Sequence, residues 1–194
     1  MNQLLKGAKM KLSTRDMILV SLFAALMAVG AFLKLPNPLN PAVPITFQLF
    51  FCIYAGILLG SFKGALSQVI YMLIGLSGVP VFTGGGGYQY VVDPKFGFIL
   101  SFIVCAWLVG AIVERLKSIS VIKLFAASLC GLALVYLIGN TFMYMMLKFY
   151  SGSDVSIMLV NGWMLPYMIK DGLLMIIVAV TSVRILPAIR KAGY

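Results

Sequence analysis

The sequence predicts an all-helical integral membrane protein with six transmembrane helices and both termini in the cytoplasm. Three observations carry this: six apolar segments, a scarcity of charge, and basic residues gathered on one side. Of the 194 residues 62% are hydrophobic and 10% charged, with a mean hydropathy of +1.05. Soluble domains average about 45–50% apolar and about 25% charged residues, so a water-soluble globular protein is excluded. The length suits one transmembrane domain, residues 1–194, holding about six crossings of about 20 residues each.

The elements follow in order. The opening MNQLLKGAKMKLSTRD is basic and polar for longer than a cleaved signal allows, so the first apolar run, 17–33, reads as a retained helix. That run carries Ala24 and Ala28 four residues apart, beside Ala25, Gly30 and Ala31. Small residues at this spacing permit close helix packing, within the chain or against a partner. The next two runs, 45–59 and 64–75, are short for full crossings and are separated only by GSFKG. They read as tilted or partly spanning helices about a tight turn. Thr46 and Gln48 stand at the start of the second run, either as caps or as groups facing a ligand.

A long connection, GLSGVPVFTGGGGYQYVVDPKFGF, precedes the fourth run, 96–113. Its four consecutive glycines, Gly84 and Gly85 among them, allow backbone to approach a ligand or to turn with positive φ. No Gly-Lys-Ser/Thr follows, so this is not a nucleotide phosphate loop. Phe82, Tyr88 and Tyr90 supply an apolar wall with hydroxyl tips, or interfacial aromatics. The fifth run, 121–147, contains Asn140, an amide deep in a helix that needs a partner on a neighbouring helix or on a ligand. The last, 159–186, contains Lys170 and Asp171 in LPYMIKD. Charges inside a crossing are costly and mark functional candidates. Adjacent helical residues point about 100° apart, so the two do not face one spot unless the ligand is wrapped. In the alternative, Pro166 starts this helix and the pair sits in its first turns, Lys170 snorkelling and Asp171 favouring the N-terminus.

Charge sets the orientation. Lys plus Arg is 15 against 5 for Asp plus Glu, a net charge of +10. Eleven basic residues (Lys6, Lys9, Lys11, Arg15, Lys63, Arg115, Lys117, Lys123, Arg184, Arg190 and Lys191) fall on one side of the predicted topology. Lys34, Lys95 and Lys148 fall on the other, and Lys170 lies within the last run. The positive-inside rule then places both termini in the cytoplasm and the three long connections outside, where they suggest a lidded pocket. Basic residues flanking apolar runs set topology in the lipid and do not indicate nucleic acid. The chain has no His, which removes imidazole chemistry. Cys52, Cys105 and Cys130 lie singly, so no metal site or disulfide framework is expected.

The runs PITFQ, YAGILLGSFKGALSQVIYMLIGLSGVPVFTGGGG, DPKFGFIL and LPYMIKD closely resemble the BioY family, over about Met17 to Val183. These are the biotin-capturing S components of energy-coupling factor (ECF) vitamin transporters. The resemblance implies a six-helix S-component fold in the bacterial cell membrane. It also implies high-affinity biotin binding from outside without a cofactor, and partnership with an EcfT-type transmembrane scaffold bearing two ATP-binding-cassette ATPases. Ala24 and Ala28 match the family's scaffold-docking stripe. Together with the residues read above, the candidate ligand set is Thr46, Gln48, Phe82, Gly84, Gly85, Tyr88, Lys95, Asn140, Tyr167, Lys170 and Asp171, of which the resemblance carries over Asp171. The family's pattern in the last helix is like P-F-x-x-x-D-x-x-K. Pro166 and Asp171 match it, but Leu174 stands at the Lys position and Lys170 precedes the Asp instead. Lys95 stands where the family commonly has Thr, a second source for the missing positive charge. The alternatives are the same fold capturing lipoate or dethiobiotin, or a stand-alone secondary transporter. The latter ordinarily recruits several intramembrane acids, and only Asp171 is available here. An enzyme is not expected, because no nucleophile stands beside a base.

Overall fold

The computed structural model describes residues 12–37, 39 and 43–191; the basic N-terminal Lys6, Lys9 and Lys11 lie outside the described residues. Among those residues five helices are long and apolar enough to cross a membrane. They are α1 (Thr14–Phe32), α2 (Gln48–Leu76), α3 (Phe96–Glu114), α4 (Val121–Met145) and α5 (Ile157–Lys191).

α1 opens with a capping box. The Asp16 amide donates to Ser13 Oγ at 3.1 Å and the Ser13 amide to Asp16 Oδ2 at 3.0 Å, so two otherwise orphaned N–H groups are satisfied. Asp16 Oδ1 also takes Lys63 Nζ at 2.5 Å, which ties the start of α1 to the middle of α2.

α2 is a hairpin rather than a rod. Gln48 and Tyr71 would stand about 35 Å apart on a straight helix, yet Gln48 Nε2 donates to Tyr71 Oη at 2.9 Å. The reversal occurs at Gly60, whose φ of +82° suits glycine alone. Residues 48–59 and 61–76 then lie side by side, close enough that a Cβ on Gly64 would sit 2.9 Å from the Ala55 carbonyl oxygen. Glu114, at the end of α3, caps the second half: its Oε1 accepts from the Ser61 amide at 2.7 Å and its Oε2 from Ser61 Oγ at 2.9 Å. These halves occupy the two short runs about GSFKG. Residues 45–47 fall outside the helix, because Ile45 pairs in extended backbone with Leu35 through two 2.8 Å hydrogen bonds.

α5 starts at Ile157 and carries Pro166 and Pro187 inside it. Pro166 therefore does not begin the helix, and Lys170 and Asp171 lie about 20 Å along it. Neighbouring helices re-satisfy the backbone group that an internal proline frees.

The core sits where both halves of α2 meet α3 and α4, around Ile53, Ile57, Ala106, Val109 and Leu124. Cys52 and Cys105 are buried there as free thiols, while Cys130 is exposed. Apolar residues such as Leu22, Leu137, Ile169 and Leu173 point outward. At one end of the bundle the described parts of the first connection, 33–37 and 43–47, and the connection 77–95 fold over the helices. Lys34 Nζ donates to the Thr83 carbonyl at 2.6 Å and ties the two together.

Candidate ligand-binding site

Beneath those connections lies a cavity of about 70 Å³. Leu49, Phe98, Ile99, Phe102, Val135 and Met164 form its apolar wall, and Val43, Pro44, Thr83, Tyr90 and Lys95 close its loop end. Polar groups reach it from α2 (Gln48, Tyr71), α4 (Tyr136) and α5 (Tyr167, Asp171). Few polar groups placed in an apolar recess are the pattern of a small-molecule site.

At the base Asp171 is 3% exposed. Its Oδ2 accepts from Tyr136 Oη at 2.6 Å, and its Oδ1 lies 2.6 Å from Lys170 Nζ. The helical offset between neighbours separates their directions: Asp171 lines the cavity and Lys170 does not. Lys170 instead donates to the Thr46 backbone carbonyl, its Nζ 5.1 Å from the Phe47 ring centroid. One turn earlier the Tyr167 hydroxyl donates to the Val43 carbonyl. α5 thus holds residues 43–47 against the cavity by two of their carbonyls. From the second half of α2, Tyr71 Oη both accepts from Gln48 and donates to the Val81 carbonyl at 3.0 Å.

At the loop end Lys95 Nζ meets Asp93 Oδ2 at 3.3 Å, and the Lys95 amide donates to Asp93 Oδ1 at 2.8 Å. Thr83 Oγ1 and Tyr90 Oη share a 3.1 Å hydrogen bond. Burial pushes the Tyr90 phenol above its usual pKa, which keeps it a neutral hydroxyl.

Of the residues singled out from sequence, Thr46, Gln48, Lys95, Tyr167 and Asp171 line the cavity. Phe82 is 1% exposed but sits behind it, its ring centroid 5.4 Å from Tyr71 and 4.6 Å from Tyr90. Gly84 and Gly85 shape the turn that Phe82 and Gly85 close by mutual backbone bonds of 2.8 and 3.1 Å, Gly85 at φ +116°. Tyr88 is 84% exposed and points away. Asn140 donates to Asn161 Oδ1 at 2.7 Å, joining α4 to α5 outside the cavity lining. Ala24 is 4% exposed, packed in the core, while Ala28 is half-buried. Both line a separate groove of about 300 Å³ between α1 and the second half of α2, with Ser21, Ala25, Ile70 and Ile74. Tyr71 borders the groove and the cavity alike.

Tyr71, Tyr136, Phe98, Phe102 and Met164 were not singled out from sequence. Tyr136 carried a usable signal, since it precedes Asn140 by four residues and so shares its helix face.

Among known proteins, the model of the BioY family matches residues 2–191. The putative biotin transporter BioYB of Bacillus subtilis is 40% identical over 185 residues, covering 94% of this chain and 92% of its own. A probable biotin transporter BioY of Lysinibacillus sphaericus is 41% identical over 136 residues, 70% of this chain and 68% of that one. A crystal structure of the S-component for biotin from an ECF-type ABC transporter shares the fold. Its TM-score is 0.77 at 24% identity, and the match covers 88% of this chain and 90% of that one.

Proposed function

The chain belongs to the BioY family, and from that premise we propose that it captures biotin in this cavity as the substrate-binding component of an energy-coupling factor transporter. It is a transport component and not an enzyme. The observation that carries the reading is Asp171, a buried carboxylate that lines an apolar recess beside its hydrogen-bond partner Tyr136, with Lys170 outside the lining. Biotin offers a ureido ring with two N–H donors and one carbonyl, an apolar thiophane and a carboxylate tail. Asp171 accepts from the ureido N–H groups. Phe98, Phe102 and Met164 cover the thiophane, and Lys95 faces the carboxylate tail.

The membrane is the bacterial plasma membrane, with lipid against the outward apolar faces. Counting the two halves of α2 separately gives six membrane segments, and Lys63, Arg115, Lys117, Lys123 and Arg184 support placing both termini in the cytoplasm. The cavity then opens outward. The sequence has no phosphate-binding loop, so the work of uphill import falls to an EcfT-type scaffold and two ATP-binding-cassette ATPases.

Calorimetric titration of the detergent-solubilised protein tests the reading, with biotin, dethiobiotin and lipoate as ligands. Tight, near one-to-one binding of biotin above both comparators is the expected result. Tight binding of a comparator with none of biotin would move the ligand while leaving the family in place.

A further inference from the structure

Two cations stand near Asp171's cavity, and their surroundings differ. Lys170 Nζ lies 2.6 Å from Asp171 Oδ1, donates to the Thr46 carbonyl and lies against the Phe47 ring. Its side chain is 19% exposed, and it is absent from the cavity lining. Lys170 gives a hydrogen bond to the Thr46 carbonyl and an ion pair to Asp171, two residues that line the cavity while Lys170 itself does not. A ligand carboxylate that draws Lys170 off Asp171 or Thr46 leaves a buried carboxylate or carbonyl without its partner. Lys95, in contrast, lines the cavity and meets Asp93 at 3.3 Å, beyond the about 2.7–2.9 Å of a strong charge-assisted bond. Of the two, it is the Lys95 ammonium that lines the cavity and can turn from Asp93 toward an incoming anion.

We propose that Lys170 is a positioning residue. It fixes the Asp171 carboxylate in its aim and clamps residues 43–47 as the cavity wall, while the ligand's own carboxylate is met by Lys95. This rests on the biotin reading and assigns, within it, which cation acts directly.

The test crosses ligands with variants. Biotin and biotinamide, in which a neutral primary amide replaces the carboxylate, are titrated against wild type, Lys170→Met, Lys170→Arg and Lys95→Met. Lys170→Met should weaken both ligands by the same factor, about tenfold or more, and Lys170→Arg should restore most of the loss. Lys95→Met should weaken biotin by a similar factor and leave biotinamide at its wild-type affinity. Equal affinity of Lys170→Met and wild type, or a loss confined to biotin in Lys170→Met, would overturn the proposal. Should Lys170→Met fail to elute as a folded monodisperse protein, the preference for biotin over biotinamide decides. It must collapse in Lys95→Met and hold in Lys170→Arg, and any other pattern overturns the assignment. Wild-type protein that binds neither ligand overturns the biotin reading itself, an outcome distinct from a reversed variant pattern.

Discussion

Asp171 gathers contacts from three directions: Tyr136 from α4, Lys170 from its own helix, and the cavity in front. Three of the four acids outside the cavity hold structure. Asp16 caps α1 and binds Lys63, Glu114 caps the second half of α2, and Asp93 pairs with Lys95. Asp171→Asn removes the charge and one acceptor while keeping the shape. It should weaken biotin binding by about 10- to 100-fold, the range of a charged hydrogen bond, with unchanged elution and melting of the protein. Tyr136→Phe removes only the 2.6 Å hydroxyl contact; titration should show a smaller loss. Asp171 was legible in the sequence because a charge in a crossing is costly wherever it points. Gln48 and Thr46 were legible as polar groups in an apolar run. Tyr71 was not, since a membrane aromatic that packs and one that donates look alike until their neighbours are placed, and Tyr136 was signalled only by its spacing from Asn140. Tyr88 misled for a related reason: the glycines before it free the backbone, and the direction the loop takes is set by what Phe82 packs against.

α2 is the element whose form matters most. The short runs about GSFKG announced a tight turn. That the turn is held by Glu114, more than fifty residues later, depends on α3 packing beside it. In Gly60→Ala a Cβ would lie 2.3 Å from Glu114 Oε1, added to a positive-φ cost of about 1–2 kcal/mol. The expected outcome is a lowered melting temperature in detergent, read by tryptophan fluorescence. Glu114→Ala should lower it too, by leaving the Ser61 amide and hydroxyl without their acceptor. The start of α5 is less legible, because a proline in an apolar segment signals a helix start or an interior kink equally. The choice is made by neighbouring helices that the local sequence does not contain.

For the molecule as a whole, the cavity and the groove are separate recesses with Tyr71 between them. Ala24 is too deeply packed to probe the groove, but Ala28 is not. Ala28→Trp should fill the groove, leave biotin binding intact in titration and stop uptake in cells supplied with the whole transporter. Loss of binding in that variant would mean that the groove supports the cavity instead. The cavity volume of about 70 Å³ is also below the about 300–1,000 Å³ of ordinary ligand sites. Biotin therefore enters only as the covering segments shift and repack, and bound protein should lose tryptic cleavage at Lys34 and Lys95, scored by mass spectrometry of the fragments.

The reversal at Gly60 has a consequence for how the chain enters the bilayer. Residues 48–59 reach about 18 Å and residues 61–76 about 24 Å, against a hydrocarbon thickness of about 30 Å. Neither half offers a translocon a self-sufficient stop or start, so the two partition as one inverted V. The tip of that V carries the polar Ser61 and Lys63, and the acid that neutralises Ser61's orphan donor emerges from the ribosome only with the end of α3. Until then water serves the exposed tip, so the hairpin becomes fixed against α3 only after the end of α3 has emerged.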